Sequence, residues 1–517
     1  VLSRYNPEQL CSTCARLSLD DRPAHERAPW LWVSGHRSSP PDGSNVGELL
    51  RAWREVESVP QAALAKLLSW TQPYVSQVET GRSKIRTVDQ LWHIHRTLGI
   101  AREELGLLPD RSADGVRGQG TALGRISDDA GTSEQVVRSQ REWRMMRQYL
   151  DQHRRALTNA AARVYPDAAR VAEGPLIAPA RWLLDEPRDF EDLGLAWVPD
   201  APTPVVVGTE PETAGMRPLS GTGERYERYS RAMRDLARPA LFENRPGYRL
   251  LDVDWSRPGA HLMLGYTSYF ESVIDVSTAL AHEYAAAAMA HGSDGMAAGR
   301  VLPLRALVGN PFDLAWRAVL PSINTLTIRY SRDGASFLLH YRDPAAVATA
   351  ASQYHVMPAG VFQPSSIAPW HQANDFSLWC SSMREFAEEF LNVEEADGSG
   401  GEPLDYEGCE PYSSMERARR DGRFTMWCFG VALDPLTLCG EVLSVAVVDA
   451  DVFDTVFAGL VLTNQEGSVV TADPARPASG IPFTAEHVRR LLDNEPLAAP
   501  AAACLSLAWQ HRELLMR

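Results

Sequence analysis

Residues 61–82 read QAALAKLLSWTQPYVSQVETGR, and their apolar spacing predicts two short helices joined by a tight turn. Gln61 can cap or lead the first helix, and Leu64, Ala65 and Leu68 follow on one face at helical spacing. Ser69, Trp70 and Thr71 supply the turn, with Thr71 placed to cap the second helix. Val75 and Val78 then point inward, which leaves Thr71, Gln72, Tyr74, Ser76 and Gln77 outside. An outer face of Gln, Ser and Thr, instead of Glu and Lys, suits hydrogen bonding to base edges in a major groove. The plainer alternative is a helical hairpin used for protein contacts.

The flanks predict a complete small module. A helix over about 46–57 presents Leu49, Leu50 and Trp53, and two more follow near 88–98 and 102–108, with Gly99 as a C-terminal stop. Five short helices in roughly 65 residues can close a core. Residues 45–108 thus resemble the Cro/C1-type (XRE) helix-turn-helix family. The resemblance rests on Gln61-x-x-Leu64-Ala65, on Val75-Ser76-x-Val78-Glu79 and on the trailing Gly81-Arg82. It implies a helix starting near Thr71 that reads the major groove, preceded by a helix whose N-terminus contacts phosphate. Gln72, Pro73 and Gln77 would then face bases, with Gln61, Tyr74, Arg82 and Lys84 nearer the DNA backbone. Pro73 departs from the usual polar residue; it is tolerated in a first turn and offers only apolar contact, for instance to a thymine methyl.

Composition bounds the rest. A chain of 517 residues is too long for one core and predicts three or four units. With 44% hydrophobic and 23% charged residues it is globular in composition. A net charge of −15 runs against DNA binding only if spread evenly. Arg51, Arg54, Lys66, Arg82, Lys84, Arg86 and Arg96 offset the acids of the helical module, and the excess acid lies downstream, near 185–192 and 394–402. Phosphate contacts of that modest strength predict a homodimer on a double-stranded operator. No run of about 20 apolar residues and no basic-then-apolar leader occurs, so no membrane association is expected. Seven scattered cysteines agree with a reducing compartment, and scarce Lys beside abundant Ala, Arg, Gly and Pro fits a high-GC bacterial proteome. The expectation is a bacterial cytoplasmic protein associated with the nucleoid.

Residues 1–44 form an N-terminal arm. Its Cys11-x-x-Cys14 is followed by His25 and His36, a set that can hold Zn2+, although the His spacing is not that of a finger and free or buried thiols are the plainer reading. Trp30-Leu31-Trp32 is expected to anchor the arm. Residues 109–133 have the Gly, Ser and Asp content of a flexible linker. A long polar helix is expected over 134–165, with Met145, Met146, Tyr149 and Leu150 as its apolar face, serving either a dimer contact or its own domain.

Residues 134–320 otherwise read as mixed α+β, with strands in RPGYRLLDVDWS and HLMLGYTSYFESVIDV and a helix in STALAHEYAAAAMAH. His282-Glu283 lacks the second His of a zinc-protease motif, Ala286 standing in its place, so His282 is expected to be packed or capping.

From 321 to 517 the chain reads as an α/β domain. TLTIRYSRDGASFLLHYRDP predicts two strands joined at Asp333-Gly334, and a strand ends at Pro358-Ala359-Gly360. Further on, Arg384-Glu385-Phe386-Ala387-Glu388-Glu389 lies in a helix, with Glu385, Glu388 and Glu389 on one side at i, i+3 and i+4 offsets. Three carboxylates on one face repel unless something screens them, and such oxygen-rich groups suit Mg2+, which in turn binds phosphates. This region resembles the Nudix superfamily, whose box is Arg-Glu-x-x-Glu-Glu after a Gly-bearing loop. The resemblance implies hydrolysis of nucleoside diphosphate derivatives, with Glu385, Glu388 and Glu389 as metal ligands and Arg384 orienting a carboxylate. Three departures bear on turnover: an insertion, SSIAPWHQANDFSLWC, before the helix; no Gly after the paired Glu residues, where Phe390-Leu391-Asn392 stands; and no evident loop glutamate near Gln363 and Ser365. Positioning supplies much of the rate in phosphoryl chemistry. The expectation is therefore a multidomain DNA-binding transcription regulator whose C-terminal region senses a nucleotide-type or other phosphorylated ligand, with a metal-dependent pyrophosphohydrolase carrying a DNA-binding module as the alternative.

Overall fold

The computed structural model describes residues 46–100, 126–291, 302–342, 353–393, 403–461, 467–470 and 480–516, apart from 57–58, 69, 81, 84, 86–87, 99, 167, 173, 240–241 and 367–368. The chain divides into two compact units between residues 123 and 124.

In the first unit α1 (Val46–Val56), α2 (Gln61–Leu67), α3 (Gln72–Glu79) and α4 (Val88–Leu98) enclose one small core. Leu50, Trp53, Leu64, Leu68, Val75 and Val78 fill it, and the Trp53 indole N–H donates to the Leu98 carbonyl at 3.1 Å. The expected inward faces of α2 and α3 are thus the buried ones. Gly47 lets α1 cross the end of α3: a Cβ there would come within 1.9 Å of the Val78 carbonyl oxygen. The helix expected at 102–108 lies outside the described residues, as does the whole 1–44 arm.

The second unit opens with α5 (Ile126–Ala162), which begins inside the stretch with linker composition. Its buried stripe is Trp143, Met146, Leu150, Leu157 and Ala161, whereas Met145 is exposed and Tyr149 half-buried. The true stripe follows i, i+3, i+4 and i+7 steps, and Met145 sits one residue, about 100°, off it. The stripe packs on α6 (Ala279–His291) through Ala281, Tyr284, Ala285 and Ala288.

A large curled mixed sheet forms the body. It takes β1 (Ala169–Arg170), β2 (Ile177–Ala178) and β3 (Leu183–Asp189) from early in the unit. Strands β4 (Leu195–Trp197), β5 (Pro246–Val253) and β6 (Leu262–Ser268) make a separate three-stranded sheet. Then follow β7 (Pro321–Ser331), β8 (Gly334–Phe337), β9 (Leu339–Arg342), β10 (Tyr354–Val356), β11 (Ala359–Val361), β12 (Phe424–Leu433), β13 (Gly440–Asp449), β14 (Gly467–Val470) and β15 (Ile481–Pro482). The large sheet runs β1-β2-β12-β13-β7-β8-β15, with β11 also on β7 and β3 also on β12, while β10-β9-β14 form a third sheet. Strands β7 and β13 are parallel from Pro321 opposite Gly440 to Tyr330 opposite Asp449. Nearly all of β13 is buried, as a central strand covered on both faces should be. Strands from both sides of residue 320 therefore share one sheet.

The hairpin at Asp333-Gly334 joins β7 to β8, but the following apolar run turns away at Leu338 and β9 enters a different sheet. The expected strand character of ESVIDV is corrected: Phe270–Thr278 is a π-helical segment leading into α6. Its β-branched residues favour a strand locally, yet the buried Asp275 carboxylate accepts from the Ser230 N–H at 2.7 Å, and that contact needs the coiled backbone. Helices α7 (Leu378–Leu391), α8 (Tyr412–Arg420), α9 (Ala485–Asn494) and α10 (Ala499–Gln510) are among those that pack around these sheets.

In the 304–317 segment, buried Arg305 donates to Tyr165 Oη at 2.7 Å and to the Pro435 carbonyl at 2.8 Å. Glu283 accepts from the Leu304 and Arg305 N–H groups, and His282 is buried against the Tyr229 hydroxyl. These are structural ties. Among the described residues no helix is long and apolar enough to cross a membrane.

Candidate functional site

The first unit presents the end of α3 outward because its other residues are locked. Thr71 caps the helix, its hydroxyl accepting from the Tyr74 N–H at 3.4 Å, and Pro73 in the first turn removes a donor that has no helical partner. Thr71, Gln72 and Pro73 are exposed, and Ser76 and Gln77 partly so. Tyr74 is half-buried: its ring meets Trp70 edge to face at 5.0 Å, and its hydroxyl accepts from Gln90 at 3.3 Å.

Glu79, a member of the motif, faces inward. Arg54 grips its carboxylate with two donors, at 2.7 and 3.0 Å, and the Gln61 amide donates to it at 2.9 Å. Burial pushes the Glu79 pKa up, but the Arg54 and Gln61 hydrogen bonds more than offset this and hold it below the usual carboxylate range. The Gln61 carbonyl in turn lies 3.5 Å from the Gln72 amide nitrogen, so a relay runs from α1 through Glu79 and Gln61 to Gln72. Gln77 is steadied by Ser83, whose hydroxyl donates to it at 3.3 Å. Arg82 is exposed beside this face. Lys84 lies outside the described residues.

Residues 45–108 match a family model described as a helix-turn-helix domain. Residues 45–108 form a helix-turn-helix domain. Such a domain implies DNA binding, and the exposed end of α3 is its candidate reading face. No curated protein and no solved structure matches the chain.

In the second unit, α7 begins at Ser377, whose hydroxyl accepts from the Cys380 N–H, and ends at Asn392 in the left-handed conformation. Arg384 is buried and pairs with the fully buried Asp375 at 3.0 Å. The Tyr406 hydroxyl accepts from Arg384 at 3.1 Å and donates to Asp375 at 2.7 Å, and Ser365 donates to Asp375 from both its N–H and its hydroxyl. Burial works against the Arg384 charge, yet neighbouring Tyr406 and Asp375 raise its pKa. Sequence reasoning missed Asp375 and Tyr406; the only sign was an acid inside the long insertion, two residues before a helix-capping Ser.

Of the three glutamates, Glu389 is buried and accepts from the Ala359 N–H at 2.9 Å. Glu385 lies against Gly360, where a Cβ would come within 1.9 Å of the carboxylate. Glu388 is half-buried. The 358–360 turn and the helix are thus brought together. Among the described residues, no three His, Cys, Asp or Glu side chains are grouped so that they could hold a metal ion. Cys11 and Cys14 lie outside the described residues.

Proposed function

We propose that this chain is a sequence-specific DNA-binding transcription regulator of Cro/C1 type, acting as a homodimer, whose second unit senses a nucleotide-type or other phosphorylated ligand. The observation that carries the DNA part is the exposed Thr71-Gln72-Pro73 end of α3 above an inner face fixed by Arg54, Glu79 and Gln61. Polar side chains held on a rigid helix reach base edges with little entropy to lose. Regulation then requires the ligand to bind one arrangement of the protein better than another.

The test is selection of bound sequences from a random duplex pool, followed by affinity measurements on the winner and on single-base variants. Gln72→Ala and Gln77→Ala should each cost about 1–3 kcal/mol of discrimination. Unchanged discrimination in both variants would remove the base-reading assignment.

A second reading, a Nudix-type pyrophosphohydrolase bearing a DNA-binding module, is favoured by the contact of the 358–360 turn with Glu385 and Glu389 and by the Arg384–Asp375 pair. It requires Mg2+-dependent turnover of a nucleoside diphosphate derivative that disappears in Glu388→Gln and Glu389→Gln.

A further inference from the structure

A cavity of about 470 Å³ opens in the second unit between α5, the starts of β7 and β13, and α10. That size is ordinary for a small-ligand site. Asn324, Asp434 and Glu441 are among its buried polar side chains. Asn324 gives its amide N–H donors to Glu441 Oε2 at 2.7 Å and to the Ser322 carbonyl. This leaves Asn324 Oδ1 and Glu441 Oε1 without a donor among the described residues. Asp434 uses Oδ1 to accept the Leu436 and Thr437 N–H groups, which leaves Oδ2 without one as well. All three residues line the cavity and are at least nine-tenths buried. Three acceptor oxygens on one cavity wall, with no protein donor, suit a ligand that brings N–H groups. Arg154 and Arg155 of α5 line the same cavity and supply the opposite requirement, an anion.

We propose that this cavity, rather than the acidic face of α7, holds the sensed ligand, a nucleotide with an aminated base: the base N–H groups meet Glu441, Asn324 and Asp434, and the phosphate meets Arg154 and Arg155. The proposal rests on the ligand-sensing reading and gives it a location and a chemical class. Glu441 suits the task for a further reason. Burial, then Asp434, pushes its pKa up to about 8, against the pull of Asn324 and Arg154. Near neutral pH its Oε1 can therefore carry a hydroxyl for a ring nitrogen, beside the Asn324 and Asp434 acceptors for an amino group, as adenine or cytosine needs. His355 and Asp493 are the other titratable groups on the cavity wall. Ala359 also lines it while donating to Glu389, so occupancy would be felt at α7.

The test is calorimetric titration of the full chain, without DNA and with EDTA present, using AMP, CMP, UMP, adenosine and inorganic phosphate as probes. AMP or CMP should bind saturably, at least about tenfold tighter than UMP, adenosine or phosphate, tenfold being about 1.4 kcal/mol. Glu441→Leu, which replaces the buried carboxyl with an apolar group of similar bulk, and Arg154→Ala at the half-buried wall should each weaken that binding about tenfold or more, and Glu388→Gln should not. Unchanged thermal unfolding identifies folded variants; if Glu441→Leu fails to fold, Asp434→Asn takes its place. The idea is overturned if no probe saturates at millimolar concentration, if CMP and UMP bind alike, if phosphate alone accounts for the affinity, or if binding needs Mg2+ and is lost in Glu388→Gln. A bound nucleotide that leaves DNA affinity unchanged would sink the regulatory reading and leave the site standing.

Discussion

Glu441 and Glu79 are both buried carboxyls, and they answer pH in opposite directions. Burial, and then the Asp434 carboxylate, outweigh the Asn324 amide at Glu441, so the folded protein holds its proton up to about pH 8, far above the unfolded value. Between the two pKa values the native state binds more protons than the unfolded state, so stability falls as pH rises. The second unit should therefore lose stability between about pH 5 and pH 8, with a slope of up to about 1.4 kcal/mol per pH unit. Glu441→Gln should flatten that slope in urea melts followed by tryptophan fluorescence, and an unaltered slope would assign the effect elsewhere. Glu79, doubly bonded to Arg54, has a lowered pKa. Its contribution is present above the ordinary carboxylate pKa and is lost as pH falls through the depressed one. Glu79→Gln should remove the acid-side loss of the first unit in melts below about pH 5. The sequence marked Glu79 as part of a motif without revealing that its role is internal. It gave no sign of Glu441, because a carboxyl inside EVLSVAVVDA is defined by strands more than a hundred residues away.

Elements with a strong local period were the most legible. Leu64, Ala65, Leu68, Val75 and Val78 lie inward as their spacing implies, and the capping hydroxyl of Thr71 is where the turn chemistry puts it. The stripe of α5 was displaced by one residue at Met145, because two adjacent methionines read alike until a partner chooses between them. For ESVIDV, a buried carboxylate overruled β-branched propensity. The acidic face of α7 was legible as a pattern, but not that one glutamate is tied to the Ala359 backbone and another lies on Gly360. At α1 the close crossing of α3 depends on a missing side chain. Gly47→Ala should force the two helices apart and cost about 1–3 kcal/mol or more, as overpacking does, read as a lower melting temperature by circular dichroism with weaker DNA binding. A variant that melts and binds like the parent would show that α1 can shift freely.

For the molecule as a whole, a separate core in the first unit and a division after residue 123 imply that the DNA-facing part can stand alone. A fragment spanning 45–108 should melt cooperatively and bind the selected duplex, more weakly if the intact chain dimerises. An unfolded fragment would mean that the reader depends on the rest. The sharing of one sheet by strands from 169–189 and 424–449 was not legible. Pairing across more than two hundred residues leaves no periodic trace in either segment.

That pairing also sets an order in time. The described helices of the first unit have been synthesised by Leu98, whereas β2 and β3 must wait for β12, and the sheet lacks its last strand until Pro482 is made. At ordinary synthesis rates this interval is on the order of half a minute. Throughout it the helix-turn-helix domain can already be folded while the large sheet is still unassembled. A chain released early would carry the helix-turn-helix core without the sheet.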